Sequence, residues 1–425
     1  MRQPHFFEHM KNKLYQWIWR WHFIGGLISL PIVILLAITG IIYLFKGNYE
    51  KPIKQSIKQV KVQTEQISFE KQWQIVRKNW KKTPSSVVVP KSTNQATEFV
   101  AGRFSGKASI FINPYSGKVQ GAWQINKTDM HQVRKLHGEL LLGSYGTKVV
   151  ELVASWMVVL LLTGLYLFWP RERGWRSLFT IRFRASKRIV FRDLHAITGF
   201  WFSLLLLLIL AGGLPWTDVW GSGFKWVQNQ TNTGFPATWQ GRSFKSVPQG
   251  KPLSLDEMMA KAQALNLPGE VTVSLPRSPK SVFSVSNRTS KLTKMAKFHF
   301  DRYSGKLLHQ DTWSDIGWMM RSRLWVMAFH QGQFGLWNWW LVFFTALGLL
   351  FMSVTALLSY LKRKRKDDWS IPAMPGDGQI RTGLVGLVLF LGLFFPLFGI
   401  SVVAIFISEK VNKKALVKAP RSVSQ

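Results

Sequence analysis

The chain of 425 residues has no cysteine, and only 21 Asp and Glu stand against 56 Lys and Arg. Without thiols it forms no disulfide, holds no thiolate-bound iron–sulfur cluster and carries no thioether-attached C-x-x-C-H heme. Any metal must be held by His, carboxylate or Met. A G-x-G-x-x-G turn is also missing, which removes a built-in nucleotide-binding domain. Charge itself is absent from long stretches. From Phe23 to Phe45 no residue is ionisable in the acid or base sense of Asp, Glu, Lys or Arg, and at about 1.5 Å per residue that run exceeds the roughly 30 Å of a bilayer core. No small-residue cleavage site follows it, so it reads as an anchor and not a removed signal peptide.

Comparable runs occupy Val149 to Trp169, Ala196 to Trp216, Leu336 to Leu361 and Leu384 to Ile407. Five spans are expected, because soluble core helices rarely run so long without a polar face. Short basic loops orient them. Between the second and third spans stand Arg171, Arg173, Arg176, Arg182, Arg184, Lys187, Arg188 and Arg192 against Glu172, and KRKRK begins at Lys362. Both loops are expected in the cytoplasm. The resulting division is a cytoplasmic N-terminus (1–16), span 1 (17–45), a periplasmic domain (46–135), an interfacial segment with span 2 (136–170) and a basic loop (171–192). Span 3 (193–218), a second periplasmic domain (219–329), span 4 (330–361), a cytoplasmic loop (362–380), span 5 (381–407) and a tail (408–425) follow. Span 5 would export Lys410, Lys413, Lys414, Lys418 and Arg421, and Pro396 in its middle leaves a kinked or re-entrant form open.

The periplasmic connections are basic too, with 17 Lys and Arg against 5 acids in 46–135 and 15 against 6 in 219–329. Long translocated loops ignore the positive-inside rule, so the excess points either to an anionic substrate or acidic lipid outside, or to a generic basic surface. Membrane lipid is an expected partner; nucleic acid is not, since no recognised binding motif accompanies the charge.

The chain repeats itself. WRWHFIGG (19–26) and FRDLHAITG (191–199) each place a glycine four residues after a histidine, His22 with Gly26 and His195 with Gly199. Seventeen residues after each histidine come Thr39-Gly40 and Gly212-Gly213. His137 precedes Thr163 by 26 residues and His330 precedes Thr355 by 25. Two parallel repeats of span, outer domain and span are the reading, related by an axis along the membrane normal. The outer domains share FINPYSGKVQG (111–121) and FHFDRYSGKLLHQ (298–310), each a strand, a tight turn opened by Asn113 or Asp301 with Gly117 or Gly305, and a strand. Each follows a helical stretch, about 69–80 and 255–265, so two small α+β units are expected.

With these residues in view, and with LHGELLLGSYG (136–146) ahead of the second span, the sequence resembles the PepSY-associated transmembrane helix family over about residues 15–363. The resemblance implies a mainly α-helical integral membrane protein of the bacterial inner membrane with PepSY-like α+β domains in the periplasm. Relatives of that kind include heme-containing reductases that release iron from ferric siderophores, and others are thought to modulate peptidases.

Within the repeat, His22 and His195 lie at the cytoplasmic ends of their spans, and His137 and His330 at the outer ends of theirs. Two histidines facing one another across the axis are placed to ligate one heme iron from opposite sides, giving two bis-histidine b-type hemes. Gly26 and Gly199, and Gly138, Gly143, Gly332 and Gly335, are expected to leave room for a porphyrin edge. Arg20, Arg192 and Arg134, with Lys135, sit next to the ligands, either as propionate partners or as interfacial anchors. His131 is the substitute if an outer ligand is misassigned, whereas His5, His9, His299 and His309 differ in context. Glu151 reads as a helix-end carboxylate or a proton carrier. Most of the 21 tryptophans are expected in interfacial belts. The expected function is electron transfer from a quinol or a cytoplasmic reductase to a periplasmic acceptor, with ferric siderophore iron reduced to Fe(II). A non-redox regulator whose PepSY domains bind peptides or peptidases is the alternative. A transporter would need charged or broken helices at mid-membrane, and the four repeat spans have none.

Overall fold

The computed structural model describes residues 4–170, 174–364, 371–372 and 382–418. Arg171, Glu172, Arg173, Arg365, Lys366 and Arg421 lie outside the described residues. The protein is mostly helical, with several apolar helices and one antiparallel sheet. In chain order the elements are α1 (Pro4–Leu44), α2 (Lys46–Lys58), α3 (Phe69–Asn79), β1 (Ser86–Val88), β2 (Thr97–Ala101), β3 (Ala108–Ile112), β4 (Val119–Gln124), α4 (Asp129–Glu139), α5 (Ser144–Phe168) and α6 (Lys187–Gly213). Then come α7 (Val219–Gln230), α8 (Leu255–Ala264), β5 (Glu270–Ser274), β6 (Phe283–Arg288), β7 (Ala296–Phe300), β8 (Leu307–Thr312), α9 (Trp318–His330), α10 (Leu336–Leu361), α11 (Thr382–Phe394) and α12 (Pro396–Lys418). They divide into two compact units: Met1–Ile41 with His137–Phe224 and Phe343–Gln425, and Ile42–Leu136 with Lys225–Val342.

The first unit holds the long apolar helices. Four helical stretches among the described residues are long and apolar enough to cross a membrane: Leu14–Lys58, Ser144–Phe168, Lys187–Trp216 and Leu336–Leu361. Their few hydroxyls bond back into the helix, Thr39 to the Leu35 carbonyl (2.7 Å), Thr163 to Val159 (2.7 Å) and Thr355 to Phe351 (2.9 Å), which spares each apolar helix an unpaired donor. The middle of α1 meets the end of α10 through Phe23 and Tyr360, whose rings are 5.6 Å apart, and the end of α10 meets the start of α6 through Ser359 and the Arg188 carbonyl (3.3 Å). The chain therefore alternates direction from α1 through α5 and α6 to α10.

The interfacial segment stands apart from span 2: α4 stops at Glu139, and Leu140, Leu141 and Gly143 all take positive φ before α5 starts at Ser144. The region of the fifth span is broken, in line with the kinked form that Pro396 left open. Phe395 interrupts it, and α12 begins on Pro396, whose missing N–H is harmless in a first helical turn. The chain folds back sharply there. A Cβ on Gly399 would stand 2.7 Å from the Gly392 carbonyl oxygen, so only glycine permits the approach. Phe395, Phe398 and Val402 pack with Trp156 and Leu214. Trp156 also donates to Ser401 (3.1 Å), and Phe406 lies 5.8 Å from Trp21 near the middle of α1. Hence α12 runs from the end of α6 back toward the level of Trp21 on α1.

In the second unit the two expected α+β units merge. One antiparallel sheet runs β4-β3-β2-β1-β5-β6-β7-β8, and the joint is the β1–β5 pair, with Val87 opposite Val273. Helices α3 and α8 cover one face with a core of Val76, Phe99, Ile110, Met258, Met259 and Val285. Each helix helps to cap the other. Asp256 accepts from the backbone N–H of Phe69 (2.6 Å) and Glu70 (3.1 Å), and Glu70 accepts from that of Leu255 (3.1 Å), while Ser68 and Ser254 are the N-caps. The turns follow the sequence reading: Asn113 accepts from Tyr115 and Ser116, Asp301 from Tyr303 and Ser304, and Gly117 and Gly305 take φ of +73° and +65°.

Candidate functional site

Where the middle of α1 passes the first part of α6, the rings of His22 and His195 stand 6.3 Å apart, centre to centre, inclined at 71°. Their side nitrogens are engaged in a way that fixes the tautomer. The Nδ1 of His195 lies 2.9 Å from the Met352 carbonyl oxygen, which only accepts, so Nδ1 donates. The Nδ1 of His22 lies 2.9 Å from the Thr163 hydroxyl, whose own proton goes to the Val159 carbonyl, so again Nδ1 donates. Each ring is left with its lone pair on Nε2, the state in which imidazole ligates a metal with its other nitrogen oriented by a hydrogen bond.

The spacing fits one metal centre between two imidazoles. Two metal–nitrogen bonds of about 2 Å, each extended by about 1 Å from nitrogen to ring centre, span about 6 Å.

A second histidine is held in the same manner toward the other end of α1. His137 Nδ1 lies 3.0 Å from the Thr39 hydroxyl, which donates to the Leu35 carbonyl. A glycine follows the threonine in both places, and a Cβ there would press on the ring: Gly164 stands 3.2 Å from His22 Cε1 and Gly40 stands 3.4 Å from His137 Cε1 by that measure. The seventeen residues between His22 and Thr39 put the two places about 25 Å apart along the helix. Threonine–glycine pairs are thus seats for histidines. Sequence reading used Thr39, Gly40 and Thr163 only as landmarks of the repeat. The available signal was a Thr-Gly pair at the far end of a span from a histidine.

The family comparison covers this whole arrangement: the description "PepSY-associated TM region" matches residues 19–363. The chain belongs to that family. No curated protein matches it. In this PepSY-associated chain the matched region takes in all four long apolar helices, the sheet and His22, His137, His195 and His330, and leaves α11 and α12 outside. A membrane protein of this family is what the sequence, the helices and the match agree on.

The remaining candidates are placed as follows. His330 is the last residue of α9, in the second unit, whereas His137 belongs to the first. Both stand on short helices that precede the spans and not on the spans themselves. His131 shares α4 with His137, but six residues turn it by about 240° around the helix, so the two are not interchangeable; His137 occupies the Thr39 seat. Arg134 lies on α4 one turn before His137. Arg20 donates to the Pro372 carbonyl, and Arg192 stands 3.3 Å from Asp193, whose closer partner is Arg182 at 2.6 Å.

Of the glycines four residues after His22 and His195, Gly199 faces Met352 Sδ at 3.1 Å, whereas beside Gly26 only Leu160 comes within 4 Å, at 3.9 Å. Gly143, Gly332 and Gly335 provide positive φ at turns. Glu151, buried inside α5, accepts from the backbone N–H of Val219 (2.8 Å) and Trp220 (2.9 Å), so it caps α7.

Proposed function

We propose that the chain is a di-heme transmembrane electron-transfer protein that carries electrons from the cytoplasmic side to a periplasmic acceptor, with ferric siderophore iron reduced to Fe(II) for uptake. The observation that carries the reading is the His22–His195 pair, 6.3 Å apart with both Nδ1 atoms occupied. His22 and His195 would hold one heme b through Nε2, and His137 and His330 a second. Heme bound there supplies one-electron chemistry between Fe(III) and Fe(II). The protein's part is orientation and exclusion. Thr163 and the Met352 carbonyl fix the two inner rings, Thr39 fixes His137, and Gly164 and Gly40 keep Cβ atoms away from the rings. Arg20, Arg192 and Arg134 are the nearest candidates for heme propionates, because each lies within one helical turn of a ligand.

In this reading the two halves of the chain are parallel repeats in the bacterial inner membrane, with the sheet in the periplasm and the His22 end in the cytoplasm. The positive loops support that sense. With α12 turned back at Phe395, the tail after α12 falls on the cytoplasmic side in this reading, in keeping with the positive-inside rule. The donor is a quinol or a cytoplasmic reductase, since no nucleotide-binding motif occurs in the chain.

The test is optical. Membranes from heme-replete cells expressing the chain should give a reduced-minus-oxidised b-type spectrum that collapses in the His22→Ala, His195→Ala double variant to the contribution of one heme. An unchanged spectrum in that variant would remove the inner site.

A further inference from the structure

The face of the sheet opposite α3 and α8 is built differently in its two halves. Two residues before Asn113 and Asp301, which open the equivalent turns, stand Phe111 and His299, and their partners on the edge strands are Gly121 and His309. In the same register Trp123 and Asp311 are equivalent, opposite Ser109 and Lys297. The first half fills these places with apolar packing, Phe111 and Trp123 against Ile57 and Val60. The second half puts two histidines and an aspartate there, which is costly in a covered place unless their polarity is used.

Residues 237–246, between α7 and α8, form a strap over them. Thr238 donates to Asp311 Oδ1 at 2.7 Å, and the Phe244 ring lies 5.3 Å from that of His299 and 5.2 Å from that of His309. Gly241, at φ +68°, approaches so closely that a Cβ there would stand 2.8 Å from His299 Nδ1 and Cε1. At the far end the Ser246 N–H donates to the Lys280 carbonyl (3.0 Å), and its hydroxyl accepts from the Arg302 N–H (2.8 Å). The strap thus closes directly on an imidazole, with no room left for water at that edge of the ring.

The polar groups beneath it are incompletely paired. His299 is fully buried, with Nδ1 2.8 Å from the Ser284 hydroxyl. Its Nε2 faces Asp311 Oδ2 at 4.0 Å, too far to bond, and neither atom has a hydrogen-bond partner among the described residues. Asp311 commits Oδ1 to Thr238 and, at 3.2 Å, to His309, whose side chain is partly exposed. The charged and titratable groups around His299 are Lys297 on its own strand and Asp311 and His309 on β8, while Arg242 and Lys245 of the strap are exposed. Burial first, and Lys297 second, hold the ring below the ordinary histidine value, with Asp311 opposing them. A proton on His299 is therefore a charge that the closed strap leaves unsatisfied. Either Asp311 swings across the 4.0 Å gap, which draws Oδ1 away from Thr238, or water enters where Gly241 and Phe244 sit. Both routes undo the contacts that hold the strap.

We propose that residues 237–246 are an acid-released strap: a proton on His299 frees them from β7 and β8 and uncovers the face beneath.

The test is amide hydrogen exchange of the full chain in detergent between pH 7.5 and 4.5, corrected for the pH dependence of exchange itself. Trp239, Gly241 and Ser246 have hydrogen-bonded amides that report on the strap, and α3 and α8 serve as the reference. In wild type the opening equilibrium of the strap should rise about tenfold for each pH unit from 6.5 down toward 4, while α3 and α8 keep their protection. His299→Gln, which takes up no proton, should keep the strap closed throughout, and His309→Gln should open as wild type does. Thr238→Val, the same shape without the hydroxyl, should expose the strap already at pH 7.5. Loss of protection in the strap and in α3 and α8 together, an unchanged pH response in His299→Gln, or a closed strap in Thr238→Val at pH 7.5 overturns the proposal. A flat response in His309→Gln does so too, because the partly exposed imidazole would then be the switch.

Discussion

The Thr163 hydroxyl accepts from His22 Nδ1 at 2.9 Å across 141 residues of sequence, and the Thr39 hydroxyl meets His137 Nδ1 at 3.0 Å across 98. In both, the threonine is itself locked by a bond to the carbonyl four residues back. A hydroxyl that can only accept from the ring dictates which ring nitrogen stays free. Thr163→Val should therefore weaken heme retention at the inner site by about 10–100-fold and shift the midpoint potential of what remains, and Thr163→Ser should restore both. Equal heme content and potential in wild type and Thr163→Val would show that the threonine only packs.

Gly164 and Gly40 make a paired prediction. Leucine at 164 would drive side-chain atoms into the His22 ring and leucine at 40 into the His137 ring. Each variant should lose one heme and keep the other, Gly164→Leu the same one lost by His22→Ala. Loss of both hemes in either variant, with the protein still folded, would mean that the two places are not separate sites.

Glu98 is the electrostatic hinge of the sheet. Burial would raise its pKa, but Lys54 and Lys58 outweigh burial and hold the carboxyl at about 2. A folded-state value below the ordinary 4.5 contributes stability that is fully present above pH 4.5 and is lost as pH falls through 2. His299 adds a second window. Burial first and Lys297 second hold it at about 4, below the ordinary 6.5, so unfolding takes up a proton between those values and stability declines as pH falls from 6.5 to 4. Thermal unfolding of the full chain in detergent, followed by tryptophan fluorescence, should show both declines. Glu98→Gln should lower stability at pH 7 by about 2 kcal/mol and flatten the lower window. A pH profile identical to wild type would remove Glu98 as its cause.

Asp256 and Glu70 test the reciprocal caps of α3 and α8. Asp256→Ala leaves the Phe69 and Glu70 N–H groups unpaired and should cost about 1–2 kcal/mol. Adding Glu70→Ala should cost less than the sum of the two single changes, because the helix starts lie side by side. Strict additivity would show that the two caps act independently.

The absence of cysteine makes the C-terminal fold-back directly measurable. A single cysteine placed by Ala415→Cys should react with a membrane-impermeant maleimide in inverted vesicles and not in intact spheroplasts, and Ser92→Cys in the first half of the sheet unit should do the opposite. Labelling of residue 415 from outside would restore a fifth full span and an exported tail.

Much of this was legible in the sequence because it depends on local pattern. Charge-free runs marked the four long helices. Asn113, Asp301, Gly117 and Gly305 announced their turns because turn chemistry is a matter of a few adjacent residues. What was not legible depends on contacts distant in sequence. The union of two expected α+β units into one sheet is made by Val87 meeting Val273, and nothing local to either strand shows it. Strands β2 and β3 are buried at every position, so no alternation marks their faces. The fold-back at Phe395 depends on the Gly392–Gly399 approach, which resembles ordinary helix glycines when read along the chain. Histidine positions were visible at once, but the hydroxyls and carbonyls that orient them come from other helices.

The most direct test of the central claim is the heme content of the purified chain, measured for wild type and for His22→Ala, His195→Ala and His137→Ala. The account predicts two b-type hemes in wild type, loss of the same heme in the first two variants and loss of the other in the third. A colourless wild-type protein from heme-replete cells, or loss of different hemes in His22→Ala and His195→Ala, would contradict it.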